Sequence, residues 1–198
     1  DGLLVGSALA LLGLGIVMVT SASITFADRE IGAPFYFLLR QSAYLGAGLL
    51  AGLVCLALPL RLWEQGSLVL LVVAFVLLLA VLIPGVGREV NGAVRWISMG
   101  PINVQVSEPA RLLIIVFLAG YVARRGDDLA GSLEGFLKPV AIVTAACALL
   151  LAQPDFGAAT VLLATAMAVL FVGGARLKHF LSLLVVAVGA LAALALLS

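Results

Sequence analysis

The spacing of apolar runs constrains this chain more than any other feature. Gly2–Thr20, Gln41–Pro59, Ser67–Ile83, Ser107–Ala123, a run within Leu133–Ala152, Ala158–Gly174 and Phe180 onward are each dominated by aliphatic, aromatic and small residues, with short polar connectors between them. A bilayer core about 30 Å thick takes roughly 20 such residues as a helix, and exposed backbone polar groups are not tolerated there. The uninterrupted apolar cores Pro139–Ala152 and Ala158–Val172 would rise only about 21–23 Å. Flanking residues from Leu133 and as far as Gly174 are needed to complete those two spans. The expected fold is therefore all-α: a polytopic membrane helical bundle with about seven transmembrane helices, forming a single transmembrane domain over residues 1–198 with no soluble domain.

Composition agrees. The 198 residues are 64% hydrophobic and 11% charged, with a mean hydropathy of +1.28; a soluble domain carries about 25% charged residues. A net charge of +1 says nothing about nucleic acid, and no nucleic-acid partner is expected. Cys55 and Cys147 lie inside apolar runs at no metal-ligand spacing, so each is read as a small hydrophobe. The first run lacks the basic leader and small-residue cleavage site of a signal peptide, so it is read as a span. The chain starts without methionine and stops inside an apolar run, which suggests an amino-terminal fragment. Gly48-Leu-Leu-Ala-Gly52 offers a small-residue spacing for close helix packing. No internal repeat is evident.

One polar stretch breaks the pattern. Gly85–Arg111, GVGREVNGAVRWISMGPINVQVSEPAR, follows one apolar run and leads into another, yet carries Arg88, Glu89, Arg95, Glu108 and Arg111. Glu108 and Arg111 are three apart, hence neighbours on a helix, at the start of the fourth span. Charges placed at a membrane are costly to keep, and their default reading is functional; the structural alternative is an ion pair that anchors the span. Between the fifth and sixth spans, Gln153-Pro-Asp-Phe-Gly157 favours a tight turn. Asp155 there is either a site residue or the cap of the next helix, and the two roles are compatible.

Counting Lys and Arg by connector sets the orientation. Arg61, Arg124, Arg125, Lys138, Arg176 and Lys178 fall on one side, against Arg29, Arg40, Arg88 and Arg95 on the other. The amino end is then cytoplasmic, and Gly85–Arg111 shares the outer face with Asp155. Arg124, Arg125, Arg176, Lys178 and His179 read as cytoplasmic anchors, and Trp96 as an interfacial anchor or a substrate contact.

Asn91-Gly-Ala-Val-Arg-Trp-Ile97, Gly100-Pro, Gln105-x-Ser-Glu108-x-x-Arg111, Gln153-Pro-Asp-Phe-Gly157 and Gly173-Gly-Ala-Arg176, in that order, resemble the SEDS (FtsW/RodA/SpoVE) family of bacterial cell-wall polymerases, nearer its cell-division branch than its elongation branch. The resemblance implies a fold of roughly ten helices, of which about seven are here. It implies a peptidoglycan glycosyltransferase that polymerises lipid II at the outer face of the cytoplasmic (inner) membrane during septal wall synthesis. A lipid II transporter (flippase) and a non-catalytic division scaffold that recruits a transpeptidase are the alternatives.

The chemistry needs a general base for the attacking hydroxyl, positive charge for the departing pyrophosphate, and an apolar groove for the prenyl tail. The family's catalytic aspartate is expected after Ser198, so no catalytic residue is assigned here. Arg88, Arg95, Trp96, Gln105, Ser107, Glu108, Arg111 and Asp155 are the supporting or substrate-binding candidates. A divalent cation, Mg2+ or Mn2+, is the only cofactor the reaction suggests, and no metal ligands are assigned. Implied partners are a class B penicillin-binding protein (an FtsI-type transpeptidase), the FtsQ/FtsL/FtsB division complex, lipid II and membrane lipids. Two departures stand out: Val106 replaces the family's usual proline, and Arg111 stands where lysine is common, which changes the hydrogen-bonding geometry available to phosphate.

Overall fold

The computed structural model describes residues 2–90, 93–99 and 102–182. It divides into two compact units, Asp1–Pro59 and Leu60–Ser198. Asn91, Gly92, Gly100 and Pro101, and the expected seventh span beyond a helical segment at 177–182, lie outside the described residues.

The first unit is a helical hairpin of α1 (Gly2–Ile31) and α2 (Tyr36–Ala57). Asp28, Arg29 and Glu30, expected in a connector, instead form the last turn of α1. The helix tolerates its polar residues because their hydroxyls bond back onto it: Thr20 Oγ1 donates to the Ile16 carbonyl at 2.7 Å and Ser23 Oγ to that of Val19 at 2.7 Å. Gly32, at φ +70°, ends the helix in the left-handed conformation that glycine adopts without penalty. On α2, Arg40 lies between Tyr36 and Tyr44, donating to the hydroxyls at 3.4 and 3.2 Å. No described residue comes within 4 Å of a Cβ built at Gly48 or Gly52.

The second unit contains α3 (Leu60–Ala80), strands β1 (Gly87–Val90), β2 (Ala93–Met99) and β3 (Ile102–Gln105), then α4 (Ser107–Gly131), α5 (Leu133–Ala152) and α6 (Phe156–Val172). Helix α4 packs against α3, α5 and α6. Buried residues recur every three or four positions, as Leu71, Ala74 and Leu78 on α3, Ala110, Ile114 and Phe117 on α4, and Val143, Ala146 and Leu150 on α5. This is the apolar stripe of a helix that buries one face. The opposite faces expose Leu112, Leu163 and Phe171, as suits a lipid solvent. Helices α1, α2, α3 and α5 are long and apolar enough to cross a membrane, and α6 is a shorter apolar helix. The chain is a multi-pass membrane protein.

Two local rules are broken, and each has a visible remedy. Pro139 sits inside α5 and cannot donate to the carbonyl four residues earlier. That carbonyl, Gly135 O, instead accepts from Tyr121 Oη of α4 at 2.8 Å. Helix α4 is also interrupted at Arg125 (φ −134°, ψ 31°), immediately after Arg124, which donates to the Glu64 carbonyl at 2.7 Å and to Ser67 Oγ at 2.9 Å on α3.

The principal departure from the all-helical expectation is the polar stretch itself, which forms an antiparallel sheet in the order β1-β2-β3. Arg88 opposes Trp96, but the next residue, Glu89, opposes Val94, leaving Arg95 with no partner on β1. Arg95 is thus the extra residue of a β-bulge, a device that bends a strand and redirects a side chain. Val94 and Ile97, three apart, both pack on the core, which strict alternation would forbid. The bulge resolves this by taking Arg95 out of the alternation, and Arg95 and Trp96, both half-buried, stand between the two core residues.

Candidate functional site

The sheet emerges from the end of α3 and returns to the start of α4, and Asp155 fastens it there. Asp155 is 4% exposed and caps α6, its Oδ1 accepting from the Ala158 amide at 3.2 Å. The same oxygen lies 3.5 Å from Arg95 Nη1. Its other oxygen is 3.4 Å from Gln105 Nε2, which also donates to Ser107 Oγ at 3.0 Å. One carboxylate therefore joins the bulge of β2, the end of β3 and the amino terminus of α6. Burial strengthens these contacts, because a carboxylate withdrawn from water needs both its charge and its lone pairs answered.

The sequence candidates divide into three groups. Arg95, Gln105, Ser107 and Asp155 form the connected cluster just described. Glu108 and Arg111 pair with each other one turn into α4. They stand at the rim of an open groove of ≈ 550 Å³ lined also by Pro109, Leu112, Ile115 and Thr165. Arg88 and Trp96 oppose each other across β1 and β2, and Trp96 in turn opposes Gln105 on β3. Val106, where the resemblance implied proline, adopts helical angles (φ −66°, ψ −31°), and α4 begins at Ser107, where the fourth span was expected to start.

Gln153 is singled out by the structure and not by its motif, Gln153-Pro-Asp-Phe-Gly157. It is fully buried and donates from Nε2 to the Leu78 carbonyl at 3.0 Å. Only the apolar setting of a long polar side chain could have signalled it.

Among the described residues no three His, Cys, Asp or Glu side chains gather into a metal-binding group. Of the three arginines, Arg111 alone lines this apolar groove, and a guanidinium beside an apolar groove could take a phosphorylated ligand with a hydrocarbon tail.

Comparison with known proteins places this geometry in a lineage. The FtsW/RodA/SpoVE family, described as cell cycle proteins, matches residues 2–198. A protein of Thioalkalivibrio sulfidiphilus named probable peptidoglycan glycosyltransferase FtsW is 50% identical over 190 residues, 96% of this chain and 48% of its own length. A protein of the same name from Alkalilimnicola ehrlichii is 53% identical over 169 residues, 85% of this chain and 42% of its own. The chain thus spans about half the length of these curated relatives. Among solved structures, the Thermus thermophilus rod shape determining protein RodA superposes with a TM-score of 0.64 at 33% identity, over 91% of this chain and 58% of that one. A chain from a study of how a peptidoglycan synthase complex coordinates polymerization and crosslinking superposes with a TM-score of 0.65 at 32% identity, over 92% and 52%. On sequence and fold alike, the chain belongs to the FtsW/RodA/SpoVE family.

Proposed function

We propose that this chain is part of a peptidoglycan glycosyltransferase that polymerises lipid II at the outer face of the inner membrane during septal wall synthesis, with its amino end in the cytoplasm. The observation that carries this reading is the Glu108–Arg111 pair at the rim of the groove between α4 and α6. In this reading Arg111 meets the pyrophosphate, and Leu112 and Ile115, which line the same groove, meet the prenyl chain. The proteins it resembles are named for this activity.

In the reaction, the hydroxyl of one disaccharide attacks the anomeric carbon of another, and undecaprenyl pyrophosphate departs. Negative charge builds on the pyrophosphate, and fixed cations that answer it lower the barrier. Arg111 and Arg95 take that role, with Arg88 and Trp96 on the same sheet bordering the sugar. Glu108 holds Arg111, and Asp155, assisted by Gln105 and Ser107, holds Arg95. The general base is the family aspartate expected after Ser198. Mg2+ or Mn2+ would find no ready ligand set among the described residues, since Glu108 and Asp155 are both engaged with arginines, so no step is assigned to a metal. A class B penicillin-binding protein is the partner that would crosslink the product, a reading supported by the similarity to a chain from a peptidoglycan synthase complex that coordinates polymerization and crosslinking, and the FtsQ/FtsL/FtsB assembly is the division-specific partner.

Purified full-length protein with its transpeptidase, given lipid II, should make glycan strands without another polymerase. Arg111→Ala should lower turnover by about tenfold or more. Passage of lipid II across a vesicle membrane with no glycan formed would overturn the proposal in favour of transport. Intact complex formation with neither activity would favour a scaffold.

A further inference from the structure

Gln153 lies where a polar side chain is hardest to keep. It is fully buried in a membrane-spanning unit, and its Oε1 has no hydrogen-bond partner among the described residues. A methionine of similar length would fill the space with no polar atom to satisfy. What the amide accomplishes is visible at the other end of the contact. The last turn of α3 tightens, so that the Leu82 amide donates to Leu79 O at 3.1 Å and the Ile83 amide to Ala80 O at 3.2 Å. Leu78 O thereby loses the donor a continuing helix would supply. Gln153 Nε2 takes that place at 3.0 Å, from 75 residues away in sequence.

The contact completes a ring. From the end of α3 it passes through Gln153 to the α5–α6 turn, two residues on to Asp155, and across to Arg95 in β2. From β2 it returns through Val94, which packs beside Gly87 of β1, and Gly87 in turn abuts the Val81 carbonyl at the end of α3. Asp155 cannot shift relative to the sheet while Gln153 holds its turn to the helix from which the sheet departs.

Building on the function proposed above, we propose that Gln153 is a positioning residue: by bonding the Leu78 carbonyl it fixes the α5–α6 turn so that Asp155 presents the Arg95 guanidinium to the departing pyrophosphate. Gln153 does not touch substrate; it acts through Asp155.

The test uses full-length protein with its transpeptidase and lipid II, comparing Gln153→Met, Asp155→Asn and the double variant. Gln153→Met should lower kcat by about tenfold with little change in KM, since the charge that Arg95 meets develops mainly in the transition state. In the Asp155→Asn background the same substitution should have little further effect, because the two share one path. Gln153→Glu keeps the length but regains a donor only when protonated, so its turnover relative to the unaltered protein should rise as pH falls from about 8 to about 6; it also decides the matter if Gln153→Met does not fold. Leu170→Ala, at another fully buried position, controls for simple loss of stability and should leave kcat per folded molecule unchanged.

A readout independent of turnover is Trp96 emission, recorded without the transpeptidase in a full-length protein whose every other tryptophan is replaced by phenylalanine, where Gln153→Met and Asp155→Asn should produce the same red shift. Unchanged kcat and emission in Gln153→Met, multiplicative losses in the double variant, or an equal kcat loss in Leu170→Ala would each overturn the inference. A parent protein that makes no glycan would instead sink the functional reading, leaving the Trp96 spectra to decide the positioning role.

Discussion

Gly87 is the residue at which the seating of the sheet can be tested most directly. A Cβ there would fall inside the van der Waals contact of the Val81 carbonyl oxygen and of Val94 Cγ1, with Val81 C only 3.2 Å away. Neither obstacle is the free end of a long side chain: one is backbone at the end of α3 and the other is a β-branched group on β2. Relief in Gly87→Ala requires β1 to move on the order of 1 Å in a close-packed setting. Overpacking of this kind costs about 1–3 kcal/mol. The opposing gain, a less flexible unfolded chain, is about 0.4–1 kcal/mol, so destabilisation wins by about 1–2 kcal/mol. At roughly 2–4 °C per kcal/mol for a chain of this size, the unfolding midpoint should fall by about 2–8 °C. Purified protein in detergent, followed by Trp96 emission with every other tryptophan replaced by phenylalanine, gives both the midpoint and the local environment of the sheet. Gly66→Ala is the control: it lies in α3 with nothing within 4 Å of its Cβ, and should be neutral or stabilising by about 0.5–1 kcal/mol. If Gly87→Ala melts at or above the parent midpoint with unchanged Trp96 emission, β1 does not rest on the end of α3 and the ring of contacts described above is broken at that point.

Other substitutions separate roles that the structure superimposes. Asp155→Asn retains a good cap for α6 and loses the charge facing Arg95, whereas Asp155→Ala loses both; thermal midpoints should fall in the order parent, Asn, Ala, with about 1 kcal/mol between the two variants, and equal midpoints would deny the cap any weight. Phe136→Ala removes a fully buried ring that meets His179 and Phe180 at 5.4 and 5.1 Å between centroids; a cost of about 3–5 kcal/mol is expected in detergent unfolding. Lys138→Ala breaks an exposed pair with Glu134 at 2.8 Å and should leave the midpoint unchanged within error, since such pairs hold little free energy. Single cysteines at Ser98 and Asp127, in a protein from which Cys55, Cys147 and any other native cysteine have been removed, should be labelled from outside and inside the cell respectively; labelling of Ser98 from the cytoplasm would invert the proposed orientation.

The helices were legible because a bilayer leaves the chain few choices: continuous apolar runs of sufficient length have to become helices. Their ends were less so. Asp28–Glu30 looks like a connector by charge alone, yet the helix continues until Gly32 supplies a positive φ. The sheet was not legible at all. Its strands hold four, seven and four residues, and the central one carries a bulge that disrupts the alternation by which a strand is recognised. Within the site, the pairing of Glu108 with Arg111 follows from helical periodicity, and the capping role of Asp155 follows from its place after a turn. The contact of Arg95 with Asp155, and that of Gln153 with Leu78 O, join distant parts of the chain. Nothing local encodes them, because each depends on which carbonyl or carboxylate the tertiary fold leaves short of a partner.

The bulge in β2 sets a limit on how this segment can tolerate change in length. Removing one residue anywhere between Glu89 and Trp96 would let the two strands pair in unbroken register, giving a tidier hairpin and a better ladder. The arginine would then rejoin the alternation, and either it or Trp96 would be driven toward the apolar side. An improvement in local regularity would cost the arrangement its cation. Chain length across this hairpin should therefore be held more strictly than side-chain identity at its exposed positions: substitutions at Ser98 or Asn103 are absorbed at the surface, while a single-codon deletion nearby is not.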